Sequence, residues 1–198
     1  QDAPRHGPLT RQTIDHMTVT NNAFQFVSCS FERHAETILA IFNDAIENST
    51  ALYDYKARTM DNMVAWFEAK RKGDLPVIGI EDAQTGELLG FASWGAFRAY
   101  PAYKYTVEHS VYVHPQHRGR GLGLQLMELL IAEARQRGDV HVLVGAIDAA
   151  NSGSIALHKR LGFESVGLMP QVGFKFGRWL DLAFYQLTLQ TPLNPVDG

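Results

Sequence analysis

Two groups of residues in this 198-residue chain have the types and spacing to do chemistry. The first is Arg118-Gly119-Arg120-Gly121-Leu122-Gly123, set between a predicted strand and a predicted helix. Its glycines let the backbone bend tightly and approach a ligand without Cβ clashes. The helix start behind them offers unpaired N–H groups and the positive end of the helix dipole. Arg118 and Arg120 add charge at the same place, so the chemistry is anion binding, with a diphosphate as the fitting ligand. The second is Glu108, a carboxylate within the strand Tyr105–Val113. Burying a carboxylate in such a strand is costly unless it is paired or used.

Spacing narrows the diphosphate. A dinucleotide fingerprint needs GxGxxG, whereas this loop runs GxGxG, and no acidic residue ends a next strand about twenty positions on. A P-loop needs Lys-Ser/Thr after its last glycine, and here Leu124-Gln125 follows. An RNA-binding reading of Arg-Gly-Arg-Gly lacks the basic surround that such segments carry.

Elements must hold these residues in place, and the apolar pattern predicts them. Phe24–Ser30 reads as a first strand, and helices are predicted over Glu32–Glu47 and Asp61–Lys72. Strands Val77–Asp82 and Glu87–Ala96 follow, joined by a turn through Gln84-Thr85-Gly86. Tyr105–Val113 is a strong strand whose alternation puts Glu108, Ser110 and Tyr112 on one face, opposite Val107, Val111 and Val113. The helix after the glycine loop carries the stripe Leu122, Leu126, Leu129, Leu130 and Ala134 and closes at Gly138. Val140–Ile147 reads as a buried strand and Asn151–Leu161 as a short helix. The last strands, Phe163–Leu168 and Leu182–Leu189, are separated by what reads as a Gly- and aromatic-rich loop. Strands mixed with helices in this order predict a single mixed α/β layered domain over 23–192. Residues 1–22 read as a loose N-terminal extension without an apolar signal core, and 193–198 as a C-terminal tail.

Composition excludes several classes of function. Eighteen Lys+Arg against 21 Asp+Glu leave a net charge of −3, which argues against nucleic acid. No apolar run reaches the roughly 18 residues of a membrane span. Cys29 is the one cysteine, so no intrachain disulfide forms, and no Cys/His cluster offers a metal site. A soluble protein of a reducing, cytoplasmic compartment is expected, with no metal.

Arg118-x-x-Gly121-x-Gly123 resembles the acetyl-CoA pyrophosphate loop of the Gcn5-related N-acetyltransferases. A second motif of that family matches downstream, with Asn151, then Ser154-Ile155-Ala156-Leu157, then Leu161-Gly162-Phe163. Thr106–Val113 and the block from Gly173 to Asp181 look like the phosphinothricin / methionine sulfoximine acetyltransferase branch, over roughly residues 24–190. The resemblance implies a mostly antiparallel sheet that splays near Val111–Val113, flanked by helices, with acetyl-CoA as co-substrate. Val111, Tyr112 and Val113 would pair their backbone with the pantetheine arm, as an added strand does. The backbone from Gly119 through Leu122 and Gly123 to Leu124 would hold the pyrophosphate. Asn151 resembles a residue that contacts the cofactor's arm, though Asn is equally suited to cap a helix.

In that branch the residue matching Glu108 is the general base. The role suits its chemistry, because an amino-acid amine is mostly ammonium at neutral pH and must lose a proton before attacking a thioester. His158 stands where many relatives place a tyrosine that protonates the departing thiolate. Arg98, Tyr100 and Tyr103 fall where the branch shapes its amino-acid site, a guanidinium suiting an α-carboxylate. Ile46–Thr50 and Phe174–Trp179 are further candidates to complete that site, the latter from the mate of a homodimer. His109, His114 and His117 carry no assigned role. The resemblance thus implies acetyl transfer to the amine of a small amino-acid analogue. Two rivals are the same transfer to a peptide N-terminus or polyamine, and a non-catalytic acyl-CoA-binding module.

Overall fold

A computed structural model describes residues 23–198; the predicted extension at 1–22 lies outside the described residues. The chain runs β1 (Phe24–Ser28), α1 (Phe31–Asn48), α2 (Met60–Lys72), β2 (Val77–Asp82), β3 (Leu88–Ala96) and β4 (Thr106–Val113). It continues through α3 (Leu122–Arg137), β5 (Val142–Asp148), α4 (Ser152–Arg160), β6 (Glu164–Lys175) and β7 (Arg178–Thr188). The seven strands form one sheet in the order β1-β2-β3-β4-β5-β7-β6. Every neighbouring pair is antiparallel except β4–β5, which is parallel.

Helix boundaries follow local chemistry. Ser30, predicted as strand, instead caps α1, its Oγ accepting the Arg33 N–H at 3.4 Å. Thr59 and Asn62 form a reciprocal capping box that starts α2 one residue before the predicted Asp61. The predicted stripe of α3 is buried in full, and Gly138 closes that helix at a positive φ. α3 packs on one face of the sheet, with Leu126 and Leu130 against Ile80 and Trp94. α1 and α2 cover the other, with Ile38, Phe42 and Met63 over Phe91. Two apolar layers therefore fix the central strands from both sides. Among the described residues, no helix is long and apolar enough to cross a membrane.

One expected loop is not a loop. The Gly- and aromatic-rich stretch before Leu182 forms the arms of a long hairpin, β6–β7, whose ends pair Lys175 with Arg178. Phe176 and Gly177 both have positive φ, 52° and 73°, as a two-residue turn matched to strand twist requires. Gly173, which read as loop punctuation, is a packing residue: a Cβ there would stand 2.7 Å from the ring of Tyr53.

Candidate active site

The site begins where two strands part. β4 pairs with β3 from Val107 to Val113, but with β5 only through Thr106–Glu108 against Val142–Val144. From His109 to Val113 the β5-facing edge of β4 has no ladder partner among the described residues. The gap opens into a cleft of about 690 Å³. That is the size class of small-molecule sites. Val111 and Val113 turn their side chains toward the α3 layer, and Tyr112 packs between the rings of Phe42 and Phe91 at 5.4 and 5.5 Å. Their unpaired backbone along this edge is available to an extended ligand, as an added strand would use it.

At the end of β4 the chain makes one tight turn, Pro115–His117, with the His114 imidazole accepting the Gln116 N–H at 3.2 Å. The glycine loop follows. Gly121 is the N-cap of α3 at φ 75° and supplies no side-chain cap, so the first N–H groups of the helix are unclaimed by a capping side chain. Gly123 sits in the helix beside the cleft, where an added Cβ would face Leu157 at 3.6 Å and Val113 at 3.9 Å. Arg118 lines the cleft while pairing with Asp44 of α1 at 3.0 Å. Arg120 points elsewhere: it stacks over Phe24 and bonds to the His117 imidazole at 3.0 Å. Leu122 is buried in the core and offers only its backbone, and Leu124 is half-buried.

Glu108 lies at the root of the splay, half-buried, with Gly95 opposite it in β3. A Cβ on Gly95 would meet nothing within 4 Å, so there is open space beside the carboxylate. Burial pushes the Glu108 carboxyl above its ordinary range, and the Arg98 charge opposes this. Arg98 itself is exposed and stacks on Phe97 at 4.3 Å. Tyr100 and Tyr103, 74% and 43% exposed, lie on the same loop outside the walls of the cleft. The Arg98 charge is felt at Glu108, but Arg98, like Tyr100 and Tyr103, does not wall the cavity in this chain.

Across the cleft, α4 contributes two predicted residues. Asn151 caps the helix, its Oδ1 accepting the Ser154 N–H at 3.1 Å, while also lining the cleft. The capping role is present in the structure. His158 is buried, and its Nδ1 donates to the Ser154 carbonyl at 2.7 Å. Its Nε2 lies 2.8 Å from Nε2 of His109, and the rings stack with centroids 5.1 Å apart. Gly145 in β5 makes room for this pair, since a Cβ there would stand 3.0 Å from Nε2 of His158.

Sequence reasoning left three cleft residues unassigned. His109 carried no sign of its partner 49 positions away. Tyr53 and Asp148 form the far wall with Thr50, whose hydroxyl donates to the Asp148 carboxylate. Burial and the Asp148 charge push the Tyr53 phenol up. The available signal was Gly145, an isolated glycine inside a buried-type strand, which marks a close approach.

Comparison with known proteins fits this geometry. The model of the acetyltransferase (GNAT) family matches residues 38–163. The chain belongs to that family. It is 52% identical over 152 residues to an L-methionine sulfoximine/L-methionine sulfone acetyltransferase of Pseudomonas paraeruginosa, covering 77% of this chain and 87% of that protein. It is 33% identical to a phosphinothricin N-acetyltransferase of Alcaligenes faecalis, covering 90% and 93%. Its fold matches the crystal structure of a phosphinothricin acetyltransferase from Sinorhizobium meliloti in complex with acetyl-CoA. The TM-score is 0.82 at 32% identity, over 89% of this chain and 95% of the other. The expected splayed, mostly antiparallel sheet of the GNAT fold is therefore what this chain adopts.

Proposed function

We propose that this protein transfers the acetyl group of acetyl-CoA to the amine of a small amino-acid analogue of the methionine sulfoximine, methionine sulfone or phosphinothricin type. The observation that carries the reading is the β4–β5 splay, with Glu108 at its root and the glycine loop at its mouth. Acetyl-CoA fits with its pantetheine along Val111–Val113 and its diphosphate at Gly119–Leu124 and Arg118. A strand N–H near Val113 polarises the thioester carbonyl. Glu108, directly or through water, takes a proton from the acceptor's ammonium. The freed amine attacks the carbonyl carbon, the C–S bond breaks, and CoA leaves as a thiolate that takes up the second proton, shed by the new amide nitrogen. A proton given by His158 must first be supplied to that ring, because its resting Nε2 carries none. Holding the two substrates in line supplies much of the acceleration. Arg98 is the candidate partner of the acceptor's carboxylate, and Tyr100 and Tyr103 reach the acceptor only from outside the cleft. Acetyl-CoA as co-substrate goes with a cytoplasmic setting, and no step calls for a metal.

A homodimer is part of the proposal. The β6–β7 hairpin, whose β6 arm is an edge strand of the sheet, exposes Leu168, Phe174, Phe176 and Trp179, each about half accessible. Such a patch is costly to leave in water and fits a second copy of the chain.

The test is a panel of amines assayed by release of the CoA thiol. Methionine sulfoximine, methionine sulfone and phosphinothricin should be acetylated with the highest kcat/KM. Preference for a polyamine or a peptide N-terminus would replace the acceptor. No turnover on any amine, with acetyl-CoA still bound, would favour a binding module.

A further inference from the structure

The two imidazoles in the wall of the cleft have only one consistent arrangement of protons. Ser154 offers a carbonyl, which can only accept, so the proton of a neutral His158 is on Nδ1. Nε2 of His158 is then a bare lone pair. At 2.8 Å from it stands Nε2 of His109, and a contact that short needs a proton between the rings. That proton belongs to His109, which donates it. A neutral His109 consequently has a bare Nδ1. Among the described residues this is the one buried side-chain nitrogen or oxygen without a partner. Direction therefore runs one way along the chain of groups, from His109 through His158 to Ser154.

The surroundings keep both rings neutral. Burial pushes His109 down to about 3, with His158 adding to the effect, and burial also lowers His158. From β5 the pair faces Gly145, and just before β6 it meets the ring of Phe163 at 5.1 and 5.0 Å. Tyr185 of β7, opposite Gly145, is a further titratable group on this face of the sheet. Glu108 is adjacent in β4 but projects from the opposite face. His158 is the charge that acts on His109, and no carboxylate stabilises a cation on either ring.

We propose that His109 is a positioning residue for His158. Its Nε2–H holds His158 as a neutral, Nδ1-protonated imidazole, so the pair acts as one unit and His158 does not titrate as a free acid during turnover. The inference rests on reading the cleft as the acetyl-transfer site, but the proton arrangement can be measured without turnover. Three observations meet in it: the two hydrogen bonds of His158, the unpartnered Nδ1 of His109, and the glycine at 145 that admits both rings.

Nitrogen-15 NMR of the histidine rings tests it, alongside kinetics and acetyl-CoA calorimetry. In the wild-type protein His158 should show a protonated Nδ1 and a bare Nε2, unchanged from pH 5.5 to 8. A proton on Nε2 of His158 would overturn the proposal without any variant. His109→Leu should let His158 titrate within that window and add an ionisation to the kcat profile. Its kcat should fall about tenfold, at the low end of what proton-transfer groups contribute, with KM for acetyl-CoA within twofold. His109→Gln, which offers an amide N–H in place of the imidazole donor, should restore the neutral pattern and most of kcat. If the ring state and pH profile of His158 were the same in His109→Leu as in wild type, His109 would be core packing only. Loss of acetyl-CoA binding in the wild-type protein would instead refute the site assignment, leaving the ring measurement valid.

Discussion

The ammonium of Lys175, at the tip of the β6–β7 hairpin, donates to the carbonyl of Ile46 in the last turn of α1 at 2.6 Å. Further bonds reach the carbonyls of Ser49 and Leu52 at 2.8 and 2.6 Å. α1 has no basic residue in its last turn, so a lysine from the far end of the chain satisfies the carbonyls left over there. The segment it holds carries Thr50 and Tyr53 into the cleft. Lys175→Met keeps the stem and leaves those carbonyls without their donor. It should cost about 1–3 kcal/mol in urea unfolding, the usual penalty for a buried group left unsatisfied. KM for the amine should rise while acetyl-CoA affinity holds. An unchanged KM would detach this segment from acceptor binding.

Gly123 gives a clean test of the cofactor loop. Gly121 is a poorer choice, since its positive φ strains any side chain regardless of the ligand. A Cβ at Gly123 meets only ordinary contacts at 3.6 and 3.9 Å, within a helix that tolerates it. Gly123→Ala should therefore stay folded and lose acetyl-CoA affinity by at least tenfold, read by calorimetry. A folded variant binding as tightly as wild type would move the diphosphate elsewhere.

Glu108→Gln keeps the shape and removes the proton acceptor. The expected fall in kcat is about 10²–10⁴, the range for loss of a general base. Acetyl-CoA affinity should be nearly unchanged. Because burial raises the carboxyl, the acid limb of the wild-type profile should lie above the ordinary value of 4.5. Activity is present above that limb and lost as the carboxylate gains its proton, and the limb should vanish in the variant. Wild-type rates at every pH would remove Glu108 from the mechanism and leave approximation as the source of catalysis.

Stability at low pH should depend on a carboxylate remote from the cleft. Glu81 is fully buried, 2.8 Å from each of Gln25 Nε2, Arg33 and His34 Nε2. His34 accepts the Ser30 N–H at Nδ1, so its Nε2 proton is the one that Glu81 receives. Burial alone would raise the Glu81 carboxyl, but the bonds from His34 and Gln25 and the Arg33 charge together hold it below 4.5. A carboxyl depressed in the folded state stabilises the fold above its unfolded pKa and loses that contribution as pH falls. Glu81→Ala should cost about 1–3 kcal/mol at pH 7, as buried partners lose their acceptor. The deficit should shrink below pH 4.5. A deficit independent of pH would assign the loss to packing.

The homodimer is checked by sedimentation at micromolar concentration, where the wild-type chain should run as a dimer. Phe174 and Trp179 face each other across the hairpin with ring centroids 5.0 Å apart. Replacing both with Ser should shift the protein toward monomer. A monomeric wild type would leave the exposed hairpin without its proposed partner.

Local pattern made part of this molecule legible. The glycine loop, the alternation in β4 and the stripe of α3 each depend on neighbours within a few residues, and each stands where the sequence puts it. The long hairpin was hidden because its punctuation misleads. Gly173 is small to admit Tyr53, and Phe176 is an uncommon occupant of a left-handed turn position. His109 with His158, Thr50 with Asp148, and Lys175 with Ile46 join residues 49, 98 and 129 positions apart. No periodicity records such pairings, because they are decided by where whole elements cross.

The parting of β4 from β5 also divides the molecule mechanically. Among the described residues, three rungs, Thr106–Glu108 against Val142–Val144, are all the strand pairing that joins β1–β4 to β5–β7. A pantetheine chain lying along the open edge would act as missing rungs, tying one half of the sheet to the other. Bound at a hundredfold excess over its Kd, such a ligand adds about 2.7 kcal/mol to the folded state. Its effect would be greatest at this seam, so hydrogen exchange there reports cofactor occupancy as a change in the stiffness of the enzyme itself.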